Sequence, residues 1–174
     1  MVTGQFALSV EAARELRMRH PYAPDQTWVP DAVRSAGWEA VNVRYLNGER
    51  ARATAAMRDL LDTLAIERPR SPEEAVDLIA LAMEVFAPEE GFGGIVTRMS
   101  PTELRMANQV CPAFAAIEQQ GWLGVTACPS WHRRRGWIDA LGVDATDSVL
   151  REKKWGDPAC VCVLSVQGLL PSKR

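Results

Sequence analysis

The chain has 174 residues, 47% hydrophobic and 24% charged, with 20 Lys and Arg against 22 Asp and Glu. That is the make-up of one ordinary globular domain, which excludes disorder and collagen-like repeats, and its formal net charge of −2 lacks the basic footprint of a nucleic-acid binder. No apolar run approaches the ~20 residues of a membrane span, and Phe6–Ala7–Leu8, followed by Glu11 and Arg14, is no signal peptide, so a soluble cytoplasmic protein with reduced cysteines is expected.

Phe6, Val10, Ala13 and Leu16 recur at helical spacing, which predicts a helix over Phe6–Arg19 ended by His20–Pro21. A proline-rich connection follows, in which Asp25 or Thr27 suits the cap of a second helix from Trp28 to about Leu46, with Pro30 in its first turn. Asn47–Gly48 reads as a turn. The clearest amphipathic helix runs from Glu49 to about Glu67, with Ala53, Ala56, Met57, Leu60, Leu61, Leu64 and Ala65 on one face. Its alanine-rich side, from Ala51 to Ala65, suits a core or a homo-oligomer interface. Ser71-x-x-Glu74, with Pro72 at the first helical position, is a capping box. It opens a helix carrying Ala75, Leu78, Ile79, Ala82, Met83 and Phe86.

After Gly91, Gly93 and Gly94 the period shifts. Gly94–Met99 reads as a strand, stopped at Ser100–Pro101. Cys111–Pro112 opens a short helix, Ala113 to Gln120, and Cys128–Pro129 opens another through Trp131 to Leu141, closed at Gly142. Asp147–Trp155, the turn Gly156–Asp157–Pro158 and Ala159–Val166 form a hairpin whose continuously apolar second strand belongs in the core. Gln167–Arg174 reads as a loose tail. The expected fold class is α+β, a helical N-terminal half packed on a small antiparallel sheet formed mainly by the C-terminal half. It is read as a single domain over 1–174, with a helical part at 1–90, a strand, Cys-Pro helix and hairpin part at 91–166, and the tail at 167–174.

The chemistry-bearing residues gather in the second half, which holds all four cysteines. Cys111 and Cys128 each precede a proline that opens a helix, where unpaired N–H groups and the dipole raise thiolate character; packing at a helix cap is the plain alternative. His132 lies one turn after Cys128, the spacing of a nucleophile with its base or of two metal ligands. Arg133–Arg134–Arg135 follow it and read as a solvated face, or at most an anionic-substrate contact. Cys160 and Cys162 share one face of a strand and read as core, the alternative being that one reaches a ligand while the other packs. Trp131 and Trp137 flank the arginines, as aromatics often do around a small-molecule pocket. His20 reads as a cap or surface residue.

Val96–Thr97–Arg98–Met99, Cys111–Pro112, Cys128–Pro129 and Gly156–Asp157–Pro158–Ala159–Cys160 together resemble the L-2-amino-thiazoline-4-carboxylate hydrolase-like family, and more distantly the 4-vinyl reductase-type ligand-binding domain. The resemblance spans about Gly93 to Val166. It implies a compact α+β fold enclosing a small ligand and, in the hydrolase branch, opening of a sulfur- and nitrogen-containing ring derived from cysteine. In the sensor-like relatives it implies zinc, with Cys128, Glu152 and Cys160 matching the ligand pattern and Val149 standing where a fourth, acidic ligand is expected. Many hydrolase-like relatives read Thr-Arg-Cys where this chain has Met99, and a thioether cannot form a thiolate, which shifts weight to Cys111 or Cys128.

The leading expectation is a hydrolase or lyase acting on a small amino-acid-like substrate. Cys128 or Cys111 is the thiolate, His132 the proton shuttle, Arg98 or Arg105 the carboxylate anchor, and Trp131 a pocket wall. The alternative is a zinc-containing small-ligand-binding module built on Cys128, Glu152 and Cys160. In a third reading the thiols only pack.

Overall fold

Two short strands, β1 (Val2–Thr3) and β2 (Phe6–Ala7), pair antiparallel ahead of the first helix. The structure, a computed structural model, describes residues 2–3, 6–21, 29–87, 93–110, 115, 118–119 and 129–171. Ser9 holds extended backbone and its side chain accepts the Ala12 N–H at 3.1 Å, so helix α1 begins at Val10 and ends at Arg19. The periodicity that suggested a start at Phe6 is real for Val10, Ala13 and Leu16, but the cap cuts Phe6 off into the strand pair.

Helix α2 (Val29–Thr63) replaces the two helices expected on either side of Asn47–Gly48. Both of those residues are helical, and the break falls instead at Gly37, whose φ of 77° and ψ of 168° only glycine adopts freely. The reason lies in the packing. Val41, Tyr45, Glu49, Ala53, Met57 and Leu61 are all buried and follow one another every four residues, a stripe that passes straight through the supposed turn. Burial along that stripe offsets the roughly 1 kcal/mol that a helical glycine costs. Ala53 and Ala56 belong to this core, so that side of α2 packs inside the chain. The proposed cap residues Asp25 and Thr27 lie outside the described residues.

The Ser71 capping box forms with one change of partner. Ser71 Oγ accepts the Glu74 N–H at 3.2 Å, and Pro72 stands at the first turn of α3 (Pro72–Phe86). The Glu74 carboxylate reaches back past Ser71 to accept the Arg70 N–H at 2.6 Å and the Arg70 guanidinium at 3.0 Å. Eleven of the fifteen residues of α3 are buried, which makes it the central helix, packed between α1 and the sheet.

The sheet is antiparallel in the order β3 (Gly94–Ser100), β4 (Glu103–Asn108), β6 (Cys160–Leu169), β5 (Val143–Arg151). Strand β4 was not anticipated, β5 starts at Val143 instead of Asp147, and β6 runs on to Leu169, so Gln167–Leu169 are strand where a tail was expected. Leu104, Met106, Val143, Ala145, Cys162, Leu164 and Val166 meet the helices in one core. Helix α4 (Pro129–Leu141) lies between β4 and β5 in the chain and packs on α2 and β5. The fold is α+β, as the composition of the two halves implied.

A close crossing joins α2 and α4. A Cβ on Gly136 would stand 2.4 Å from the Arg50 carbonyl oxygen and 2.8 Å from the Ala53 Cβ, so only glycine allows this approach. Thr54 Oγ1 donates across it to the Gly136 carbonyl at 3.1 Å, and Arg50 is bidentate to Asp139, with Nη2 at 2.8 Å from Oδ1. Of the helix expected over 113–120, only Ala115, Glu118 and Gln119 are described, and all three are helical.

Candidate functional site

The α2–α4 crossing, the end of α1 and the end of α3 enclose a cleft of about 270 Å³. Its floor is apolar, formed by Ala53 and Ala56 of α2, Phe86 of α3 and Trp137 of α4. The Phe86 and Trp137 rings lie 6.3 Å apart at 32°. Its rim is basic, formed by Arg19, His20, Arg52 and Arg133.

Two carboxylates behind the rim set these side chains in place. Glu49, on the buried stripe of α2, is wholly shielded from solvent. Its Oε2 accepts from Arg133 Nη2 at 2.7 Å, while its Oε1 is paired with Arg52. A buried carboxylate needs such partners, because an uncompensated charge in the core is strongly destabilising. Asp59, one turn before Thr63, uses Oδ2 twice, accepting from Arg19 Nη1 at 2.9 Å and bonding His20 Nε2 at 2.8 Å. His20 is the C-cap of α1 and meets the Phe86 ring edge-on at 6.2 Å. The cleft therefore offers oriented cationic donors above an aromatic and methyl floor, the arrangement that suits a small molecule with an acidic group.

A second, much smaller cavity of about 20 Å³ lies where the N-terminus of α4 meets the inner face of the sheet. Ser130 and Arg134 of α4, Asn108 of β4, Glu152, Cys160 and Cys162 line it. This is room for one water and not for an organic ligand. Lys153 donates its backbone N–H to Cys160 Sγ at 3.4 Å, and Cys162 Sγ donates to the Met106 carbonyl at 3.8 Å. The Asn108 Oδ1 is buried there without a hydrogen-bond partner. Glu152 Oε2 accepts the Trp155 indole N–H at 2.9 Å. Among the described residues no three His, Cys, Asp or Glu side chains converge to hold a metal. Glu152 and Cys160 both line this cavity, and Cys128, the third residue of the expected zinc set, lies outside the described residues.

Cys111 and Cys128 lie outside the described residues. His132 is half-buried and lines neither cavity; its ring meets Trp131 edge-on at 4.7 Å. Burial first, and then the nearby charge of Arg50, push its pKa below the usual imidazole value. The Trp131 indole N–H donates to the Asp147 carbonyl at 3.4 Å. Arg98 is committed to structure, with Nη1 on Asp77 at 2.7 Å and Nη2 on the carbonyls of Glu73 and Pro101. It pairs with Leu104 whereas Cys160 pairs with Asn108, which sets them about 13 Å apart along β4. Arg105 is exposed, in register with Thr97 and Val163 between the inward Leu104 and Met106, so it points away from the helices. The structure does not bring Arg98 or Arg105 together with Cys160 or with the cleft.

The solvated face expected of Arg133–Arg135 is also corrected. Arg133 and Arg134 are buried, the first on Glu49 and the second on Asp147 at 2.8 Å, and Arg135 donates to the Ala145 carbonyl at 3.2 Å. Sequence reasoning did not single out Arg19 and Arg52 of the lining or Glu49 and Asp59 that hold them, and His20, expected as a cap or surface residue, is the α1 cap and also lines the cleft. The available signal was Glu49, an acid standing on an otherwise apolar four-residue stripe.

The architecture is that of an α+β protein with a basic-rimmed cleft of about 270 Å³. No protein-family model and no curated protein sequence matches this chain. Among the described residues no helix is long and apolar enough to cross a membrane.

Proposed function

We propose that this chain is a small cytoplasmic protein of hydrolase or lyase type that seats an amino-acid-derived molecule in the cleft between α1, α2 and α4. The observation that carries the reading is the basic rim over an apolar floor in a cavity of about 270 Å³. Charge-assisted hydrogen bonds from the rim arginines hold the acidic group, and the rest of the molecule covers the floor. Among the described lining residues His20 is the group able to take up and return a proton, its Nε2 being held by Asp59.

The nucleophile in this reading is Cys128, which immediately precedes α4, the helix whose first turn borders the small cavity and whose Arg133 and Trp137 line the cleft. Cys111 is the other candidate thiol. The resemblance to the L-2-amino-thiazoline-4-carboxylate hydrolase-like family supports ring opening of a small cyclic carboxylate as the reaction class. The test is turnover of cyclic thiazoline and related carboxylates by Cys111→Ala, Cys128→Ala and His20→Gln. A folded cysteine variant that loses turnover is the expected result; full turnover by both cysteine variants excludes the thiolate.

One observation favours a second reading, a zinc-containing ligand-binding module. Glu152 and Cys160 share the small cavity with Ser130, two residues after Cys128, and a backbone N–H already points at the Cys160 sulfur. Zinc held by Cys128, Glu152 and Cys160 would tie the last hairpin to the start of α4 and add to folding stability. Stoichiometric zinc in the purified protein and a lower Tm after chelation are its expected results. Absence of zinc from protein expressed with ample metal removes it.

A further inference from the structure

We infer that the cleft selects a monocarboxylate with an aromatic or branched apolar body and rejects molecules that also carry an ammonium group. This rests on the cleft being the ligand site and narrows which amino-acid derivative it takes. Every charged side chain among its described lining is a cation or, at His20, a potential one. Neither Glu49 nor Asp59 is among the described lining residues. Glu49 has no exposed surface and both its oxygens are bonded, while Asp59, 34% exposed, turns Oδ2 to both Arg19 and His20.

A free amino acid would bring its ammonium within the same small space as three guanidiniums, with no carboxylate among the described lining residues to receive it. The unmet charge and the lost hydration both oppose binding. A derivative whose nitrogen is acylated, oxidised away or closed into an uncharged ring avoids that penalty. Charge number points the same way. With His20 neutral, the three rim guanidiniums and the two supporting carboxylates among the described residues leave a single positive charge, matched by one carboxylate better than by a phosphate dianion. The floor sets the rest of the molecule: methyl groups of Ala53 and Ala56 and the edges of Phe86 and Trp137 reward an apolar body and offer no hydrogen bond to a polar one.

Isothermal titration of the full-length protein with phenylacetate, phenylalanine, phenethylamine and inorganic phosphate tests this. The readings are repeated with Arg52→Gln and Arg19→Gln, both half-exposed side chains, with a thermal melt to confirm that each variant is folded. Phenylacetate is expected to bind at least tenfold more tightly than phenylalanine or phosphate, phenethylamine not at all, and each arginine variant to weaken phenylacetate at least threefold. Phenylalanine or phosphate binding as well as phenylacetate overturns the ligand class and leaves the cleft as the ligand site. Phenylacetate binding that neither variant changes, or no binding by any of the four, overturns the cleft as the site as well.

Discussion

Arg133 donates to Glu49 at 2.7 Å across 84 residues of chain, and both partners are buried. Removing either leaves the other charged in the core. Glu49→Ala is expected to cost about 3–5 kcal/mol, because two guanidiniums lose their counter-ion at once. Arg52→Ala is expected to cost about 1 kcal/mol or less, since its side chain is half in solvent. Urea unfolding of the two variants measures the difference; equal losses would show that Glu49 is not the hub of the pair.

Gly136→Ala is expected to force α2 and α4 apart. The added methyl meets the Arg50 carbonyl oxygen and the Ala53 Cβ, both on the rigid body of α2. Overpacking of that kind costs about 1–3 kcal/mol, with each kcal/mol lowering Tm by about 2–4 °C in a chain of this size. Gly168→Ala is the control, as nothing lies within 4 Å of its Cβ position. A thermal melt of Gly136→Ala matching the wild type would mean that the crossing is not tight.

Stability is expected to fall in two acid steps. The folded state holds the His132 pKa below its ordinary value, chiefly through burial, so the unfolded chain binds the proton more readily. The His132 contribution is full above the ordinary imidazole pKa of about 6.5 and is lost as pH drops below it. The Arg70 hydrogen bonds hold the Glu74 pKa below the usual carboxylate value; its contribution is present above about 4.3 and disappears as pH falls through the lowered folded value. Unfolding free energies between pH 4 and 8 are expected to show a shallower slope near neutrality in His132→Gln, and an unchanged slope rules out that titration.

The two described thiols differ in access. Cys160 is half-buried at the small cavity and Cys162 is in the core. Alkylation of the native protein with iodoacetamide, mapped by peptide mass, is expected to modify Cys160 well before Cys162. Equal rates, or Cys162 first, would contradict this packing.

Local rules made much of the fold readable. Ser71, Pro72 and Glu74 start α3, Gly142 closes α4, and Gly156–Asp157–Pro158 turns the last hairpin, each through chemistry confined to a few neighbours. Strand β4 escaped because Glu103–Asn108 presents only Leu104 and Met106 as buried residues, alternating with Glu103, Arg105 and Ala107, and its identity depends on β3 and β6 flanking it. Asn47–Gly48 misled because a dipeptide preference is worth less than the stripe from Val41 to Leu61. The cleft was legible in half. Glu49 and Arg52 are neighbours on one helix, whereas Arg133, Arg19 and Phe86 join them only through tertiary packing. A run of three arginines looks solvated until its acidic partners are known.

The long reach of the Glu49 pair bears on the order in which this chain can assemble during synthesis. Helix α2 emerges from the ribosome many residues ahead of α4, with an acid in the middle of its apolar stripe. Until Arg133 arrives, that acid has only the half-exposed Arg52 of its own helix as a partner, and closing the stripe over it carries a penalty. The N-terminal helices therefore stand ready yet unsealed, and the arrival of α4 locks them. A nascent chain stalled before residue 129 is left with an open, protease-sensitive α2, and one stalled after α4 is not.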